Sequence, residues 1–275
     1  MRVIGALWLR NVKAFLRNRT ALVFSMIFPL LFIYIFAGIF KLDYIENPIA
    51  FMVAGIIITV VFESTIRISS STIDDMTGGF MKEVLVSPVS RTHIAMGQFV
   101  SSATIATFQG LIIYIIGLFL GLSLTPLALI LAIPAMIFVG LVFSGFGLFL
   151  STKAKDIQTF QAISMAITMP LMFLSGAYIP LSLLPGEMQW VAYFNPMTYA
   201  VVLFRAIALG KLGLSDTELV AEGLAIEIGS VVIGPLMAAV ILIVFGILFL
   251  VLSTVSFLRT DFSKMNRNKN DSIDL

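Results

Sequence analysis

Apolar residues fall in long unbroken runs along this chain, with few of the two-residue or heptad alternations of a soluble fold. Six runs stand out, at positions 21–40, 49–70, 94–120, 127–150, 157–178 and 229–258. At ~1.5 Å per helical residue, each matches a hydrocarbon core of ~30 Å. The pattern predicts an all-α integral membrane protein with six transmembrane helices. Pro48 and Pro126, just ahead of the second and fourth runs, suit the first position of a helix.

One further apolar stretch, 174–211, does not fit this scheme, because Pro180, Pro185 and Pro196 cut it into pieces. The longest piece, 196–209, would measure about 21 Å as a helix and cannot span. Short re-entrant helices over 185–194 and 196–209 are expected instead. Backbone of this kind is tolerated at membrane depth only where protein or water surrounds it.

Two shorter segments are amphipathic. Near the start, Ile4, Trp8, Leu9, Val12, Phe15 and Leu16 form one apolar face opposite Arg2, Arg10, Lys13 and Arg17. This predicts a helix lying in the membrane interface, with its basic side toward anionic lipid, either as a plain anchor or as a helix that also touches a cytoplasmic partner. Between the second and third runs, Phe80, Met81, Val84 and Leu85 gather on one side of a short helical pattern that Pro88 ends. So small a helix has no core of its own, and its apolar side should meet a partner or the bilayer surface. The polar end, 263–275, is expected to be a flexible tail beyond a membrane domain covering 1–262.

Composition agrees with this picture and narrows the chemistry. The 275 residues are 59% hydrophobic and 12% charged, against about 25% charged in soluble domains, and the mean hydropathy is +1.06. There is no cysteine, which excludes disulfides, thiolate metal sites and cysteine nucleophiles. The single histidine, His93, argues against His-rich metal sites and His-dependent triads. No G-x-x-x-x-G-K-[ST] phosphate loop is present, since Gly210-Lys211 is followed by Leu212.

The charges set an orientation. With six spans, one side collects Arg2, Arg10, Lys13, Arg17, Arg19, Arg67, Lys82, Arg91, Lys153, Lys155, Arg259, Lys264, Arg267 and Lys269, and the other only Lys41, Arg205 and Lys211. This asymmetry of 14 to 3 predicts that both termini are cytoplasmic. The proline-broken stretch then lies outside, with Arg205 at its rim.

Polar residues within the spans are the candidates for a path. Glu63 and Arg67 stand one turn apart in the second span, as an expected ion pair. They form either a wall of a substrate path or hinge, or an interfacial pair whose ends snorkel. In the fifth span Gln161, Ser164, Thr168 and Ser175 share a face near Pro170 and Met172. Such a stripe either holds helices together or lines a polar route, and Met165, Met169 and Met172 add adaptable apolar surface. Gly140, Gly145 and Gly147 suggest close helix contact in the fourth span.

Three stretches resemble the ABC-2 type permeases, and most of all the daunorubicin-resistance-type branch. They are MKEVLVSPVSRTHIAMGQ (81–98), LSGAYIPLSLLP (174–185) and FNPMTYAVVLFRAIALG (194–210). The resemblance covers nearly the whole chain. It implies two permeases working with two ATP-binding subunits, so that ATP and Mg2+ belong to the partner ATPase and no cofactor to this chain. It implies that the helix around 80–86 is a coupling helix, with Phe80, Met81, Val84, Leu85, Pro88 and Arg91 serving contact with the ATPase. It also implies an extracellular re-entrant motif comprising Pro180, Pro185, Asn195, Pro196, Thr198, Tyr199 and Arg205. The substrate path would run at the dimer centre along the second and fifth spans, giving Glu63, Arg67, Gln161, Ser164, Thr168, Met172 and Ser175 as candidates.

The expectation is a multi-pass exporter subunit in the cytoplasmic membrane of a bacterium or archaeon, a homodimer or heterodimer, carrying a hydrophobic or amphiphilic substrate. Its partners would be an ABC ATPase, a second permease and membrane lipids, with no role for nucleic acid. Export of a polysaccharide or lipid-linked glycan is the alternative within transport. A membrane enzyme or assembly factor is the alternative outside it.

Overall fold

The computed structural model describes residues 2–37, 47–77 and 91–259. The chain runs through α1 (Arg2–Arg17), α2 (Arg19–Ala37), α3 (Pro48–Thr77), α4 (Arg91–Phe119), α5 (Pro126–Ser151) and α6 (Ile157–Phe173). After a 3-10 turn at Leu181–Leu183 come the short helices α7 (Gly186–Tyr193), α8 (Pro196–Ala208) and α9 (Asp216–Ala221). A hairpin of β1 (Ile226–Ile228) and β2 (Val231–Ile233) leads into α10 (Pro235–Arg259).

Three helices start at a capping residue followed by proline. Asn47, Thr125 and Asn195 each accept a hydrogen bond from a backbone N–H of the first turn, and Pro48, Pro126 and Pro196 fill the first helical position. The cap satisfies one orphan donor, and proline removes another while fixing φ. This device starts α3, α5 and α8 sharply, and the start of α5 meets the end of α8, where Ser123 N–H donates to the Ala208 carbonyl.

Helix α3 is the axis, packing most extensively on α4 and α5 and also meeting α2, α6 and α8. Of an 18-residue apolar window within Pro48–Ile73, 89% is buried, against 22% of the corresponding window within Pro235–Phe257 of α10. Helix α10 therefore closes the outside of the bundle against α5 and α8. The middle is held by Phe62 and Phe143, edge to face at 4.7 Å. Gly147 lets α5 approach α3 so closely that an added Cβ would meet the Ser69 side chain.

Helices α3, α4, α5 and α10 are each long and apolar enough to cross a membrane. The number rises to six if two bent pairs each count as one span: α1 with α2, at 69°, and α7 with α8, at 85°. The all-α membrane architecture thus stands, but individual boundaries differ from expectation. The fifth run ends at Phe173, after 17 helical residues, because Gly176 turns the chain at φ +79°. The second run continues as helix to Thr77. The sixth helix begins at Pro235, since 226–233 forms the hairpin, Ile228 opposite Val231 across Gly229-Ser230. Gly229 adopts φ +63° there, as a two-residue hairpin turn demands. The alternation of Ile and Val about a Gly-Ser pair was the available signal.

Helix α1 docks on α4 more specifically than an interfacial anchor would. Trp8 donates Nε1–H to Thr104 at 3.1 Å, and Asn11 is buried and donates to Gln98 Oε1 at 2.9 Å. Leu9 and Leu16 remain exposed.

Gly55 on α3 is the tightest contact under the turn after α6. A Cβ there would collide with the Ala177 carbonyl oxygen and with Arg205 Nη2. Gly55→Ala is expected to lower stability by about 1–3 kcal/mol, read as a fall in Tm of the detergent-solubilised protein. Gly5→Ala, in open space on α1, should leave Tm unchanged or raise it slightly.

Candidate functional site

An open groove of 510 Å³ lies between α2, α3 and α6. It gathers six of the seven candidate path residues: Glu63 and Arg67 from α3, and Gln161, Ser164, Thr168 and Met172 from α6. Phe28 and Phe32 of α2, with Phe160, Met165, Met169, Phe173 and Tyr178, complete an apolar wall that sequence reasoning had only partly identified. These residues of α6 recur at spacings of three and four, so they share one helix face. Ser175 does not join them. It is buried in the following turn, where it donates to the Met172 carbonyl and accepts from Ala177 N–H, and it lines a different cavity.

Glu63 and Arg67 both face the groove and are exposed, but they do not form the expected ion pair. Arg67 Nη2 donates instead to Ser64 Oγ and to Gln109 Oε1, each at 3.3 Å. Gln109 Nε2 in turn donates to Ser25 Oγ at 2.6 Å. Gln109 reaches across from α4 and gives Arg67 a neutral acceptor, which links α2, α3 and α4 and leaves the Glu63 carboxylate turned to the groove. An amide inside an apolar run was a visible signal for Gln109. Ser164 adds a buried hydroxyl with no hydrogen-bond partner among the described residues.

The Asn-Pro-x-Thr-Tyr motif builds a corner. Asn195 caps α8 by accepting from Met197 N–H at 2.9 Å, and its Nδ2 donates to the Leu171 carbonyl at 2.7 Å. That carbonyl belongs to the last turn of α6, where intrahelical donors run out. Thr198 donates to the Ala192 carbonyl and Tyr199 to that of Tyr193, closing the end of α7. The motif thus serves the 85° bend and ties it to α6. Pro180 and Pro185 precede the 3-10 turn and α7 respectively.

Arg205 is not at a solvent rim. It is 3% exposed. Its Nε donates to the Phe51 carbonyl, and its Nη2 donates to those of Gly176 and Ala177, at 2.9–3.1 Å. The guanidinium carbon stacks 3.5 Å from the Phe51 ring centroid, a cation–π contact. One side chain so joins α8, the start of α3 and the turn after α6. Phe80, Met81, Val84, Leu85 and Pro88, the expected coupling contacts, lie outside the described residues, as does the tail at 263–275. Arg91 is the first residue of α4.

Long apolar helices around a buried axis, with Glu63, Arg67 and Gln161 gathered in one open groove, define a multi-pass membrane protein. The family model for the ABC-2 type transporter matches residues 2–209, and the chain belongs to that family of membrane transport permeases. It is similar to nodulation protein J of Rhizobium meliloti, 27% identical over 220 residues, 75% of this chain and 81% of that one. It is similar to the daunorubicin resistance ABC transporter permease protein DrrB1 of Streptomyces coeruleorubidus, 25% identical over 197 residues, 71% of this chain and 69% of that one. The inner membrane transport permease YadH of Escherichia coli is 28% identical over 181 residues, 62% of this chain and 65% of its own length. The chain thus spans about two thirds of the length of the last two relatives.

Asn195→Ala removes both the cap and the tie to Leu171. It is expected to cost about 1–3 kcal/mol, measured as a fall in Tm in detergent. Asn195→Ser keeps a cap acceptor and loses the tie, so its Tm should fall between those of the unaltered protein and Asn195→Ala.

Proposed function

We propose that this chain is the membrane subunit of an ATP-driven exporter for a hydrophobic or amphiphilic substrate, and that the groove between α2, α3 and α6 is its share of the path. The observation that carries this reading is the placement of Glu63, Arg67 and Gln161, all exposed on one groove face of otherwise apolar helices. Left to lipid, a charged side chain near the bilayer centre costs about 2.5–3.5 kcal/mol even on insertion scales. A second permease closing over the groove, or water within it, removes that cost. Methionines and aromatic rings on the same wall suit an apolar body of variable shape.

The second permease would be a copy of this chain or a sister chain. An ABC ATPase would bind and hydrolyse ATP with Mg2+, and its movement would reach α3 through the segment around 80–86. The excess of Lys and Arg on one side supports a cytoplasmic placement of both termini in a bacterial or archaeal plasma membrane. The corner of α7 and α8 would then lie at the outer end of the path.

The absence of cysteine makes single-cysteine variants clean reporters. For a homodimer, Met169→Cys on the groove should give disulfide-linked pairs when membranes are oxidised. Leu236→Cys, 81% exposed on α10, should not. Pairs through Leu236→Cys alone would put the interface on the wrong side. Leu85→Asp should uncouple transport from ATP hydrolysis in the complex with the ATPase while leaving the permease in the membrane, and full coupling in that variant would contradict the assigned contact.

A further inference from the structure

A second cavity, of 310 Å³, lies apart from the groove, enclosed by α7, α8, the turn after α6 and the hairpin. Arg205 lines it, together with Ser175, Ser182, Gln189, Tyr193 and Glu227. Arg205 is 97% buried by its 3% exposure, yet no carboxylate among the described residues pairs with it. Three backbone carbonyls and the Phe51 ring offset part of its charge, and these are dipoles and a quadrupole, not a full negative charge. Such a buried cation favours any anion that can reach it.

Access is provided by the remaining nitrogen. Nε and Nη2 are occupied by carbonyls. Nη1 has no hydrogen-bond partner among the described residues, and it is the part of the guanidinium left for the cavity. The neutral groups nearby are also donors. Gln189 Nε2 spends one N–H on the Leu184 carbonyl and keeps a second. Ser182 is exposed to the cavity, with no hydrogen bond from its hydroxyl among the described residues. Tyr193 directs its hydroxyl to Gln189 Oε1 and the Glu227 carbonyl, which turns the amide of Gln189 so that its nitrogen stays available.

We propose that this cavity binds an oxyanion, a phosphate monoester or a carboxylate, with Arg205 Nη1 as the charged donor and Ser182 and Gln189 as neutral donors. A charge-assisted hydrogen bond of this kind is about twice as strong as a neutral one. Glu227 is the opposing acid on the wall. Its side chain is exposed and can turn to solvent, so it weakens the site without filling it. The same oxyanion chemistry is offered by a free anion and by a lipid headgroup.

The chain carries its own reporter. Of its two tryptophans, Trp190 lies on α7 beside the cavity, its ring 5.7 Å from that of Tyr193, so Trp8→Phe leaves one emitter next to the site. The full chain in detergent is titrated, at constant ionic strength, with inorganic phosphate and separately with dihexanoyl phosphatidate. The expected result is a saturable change in Trp190 emission, lost in Arg205→Gln and tightened by Glu227→Gln. A response to both probes assigns a free-anion site, and a response to phosphatidate alone assigns a headgroup site. Because Arg205→Gln strands three carbonyls and can fail to fold, Val220→Phe provides the second arm. It fills the cavity from α9 and leaves Arg205 in place, and it should abolish the response with an unchanged near-UV spectrum. No saturable response to either probe, or one that survives Val220→Phe, overturns the proposal.

Discussion

Three parts of the molecule meet at one guanidinium. Arg205 donates to the carbonyl of Phe51 near the start of α3 and to those of Gly176 and Ala177 in the turn after α6. None of these carbonyls could be left dry and unpaired without a cost of about 1–3 kcal/mol each. Helix α8 supplies the shared donor, and it can do so only because the Asn195 corner bends it back into the bundle. The turn after α6 is held at its own carbonyls, and the position of α6 relative to α3 follows. The groove is the space left when α6 is fixed at its far end and stands off from α3 along its length.

This arrangement separates two tasks. The bundle of α3, α4, α5 and α10 supplies stability through close helix contact at Gly140 and Gly147 and through edge-to-face and tilted aromatic contacts. Helices α2 and α6 contribute less to that core, and their apolar side chains, such as Phe28 and Met165, stay exposed. Surfaces that pack loosely are the ones able to move or to take up a partner. The relay from Ser25 through Gln109 to Arg67 crosses from α2 to α3 by way of α4, so a shift of α2 is felt at the charged wall of the groove.

Much of this was legible in the sequence. Long apolar runs report membrane helices because the bilayer demands their length. Proline positions located the short helices for a plain steric reason, and the polar stripe of α6 was readable from helical spacing. The failures are equally physical. The run at 229–258 was drawn too long because Ile and Val in a hairpin are as apolar as those in a span. Glu63 and Arg67 have the spacing of an ion pair, but Gln109 competes from another helix, and no local rule sees it. Arg205 was expected at the outer rim of the proline-broken stretch. Its three carbonyl acceptors come from segments far apart in the chain, and only the assembled fold shows that they converge.

The central claim is that the groove face of α6 borders a water-accessible path rather than lipid. A cysteine scan of Ile157–Phe173 in the membrane-embedded complex with its ATPase, read by reaction with a small hydrophilic thiol reagent, tests it most directly. Reaction is expected at Gln161, Ser164, Met165, Thr168 and Met172, on one helical face, and not at Ala162 or Ala166. Reaction confined to the opposite face, or absent along the whole helix, would contradict it.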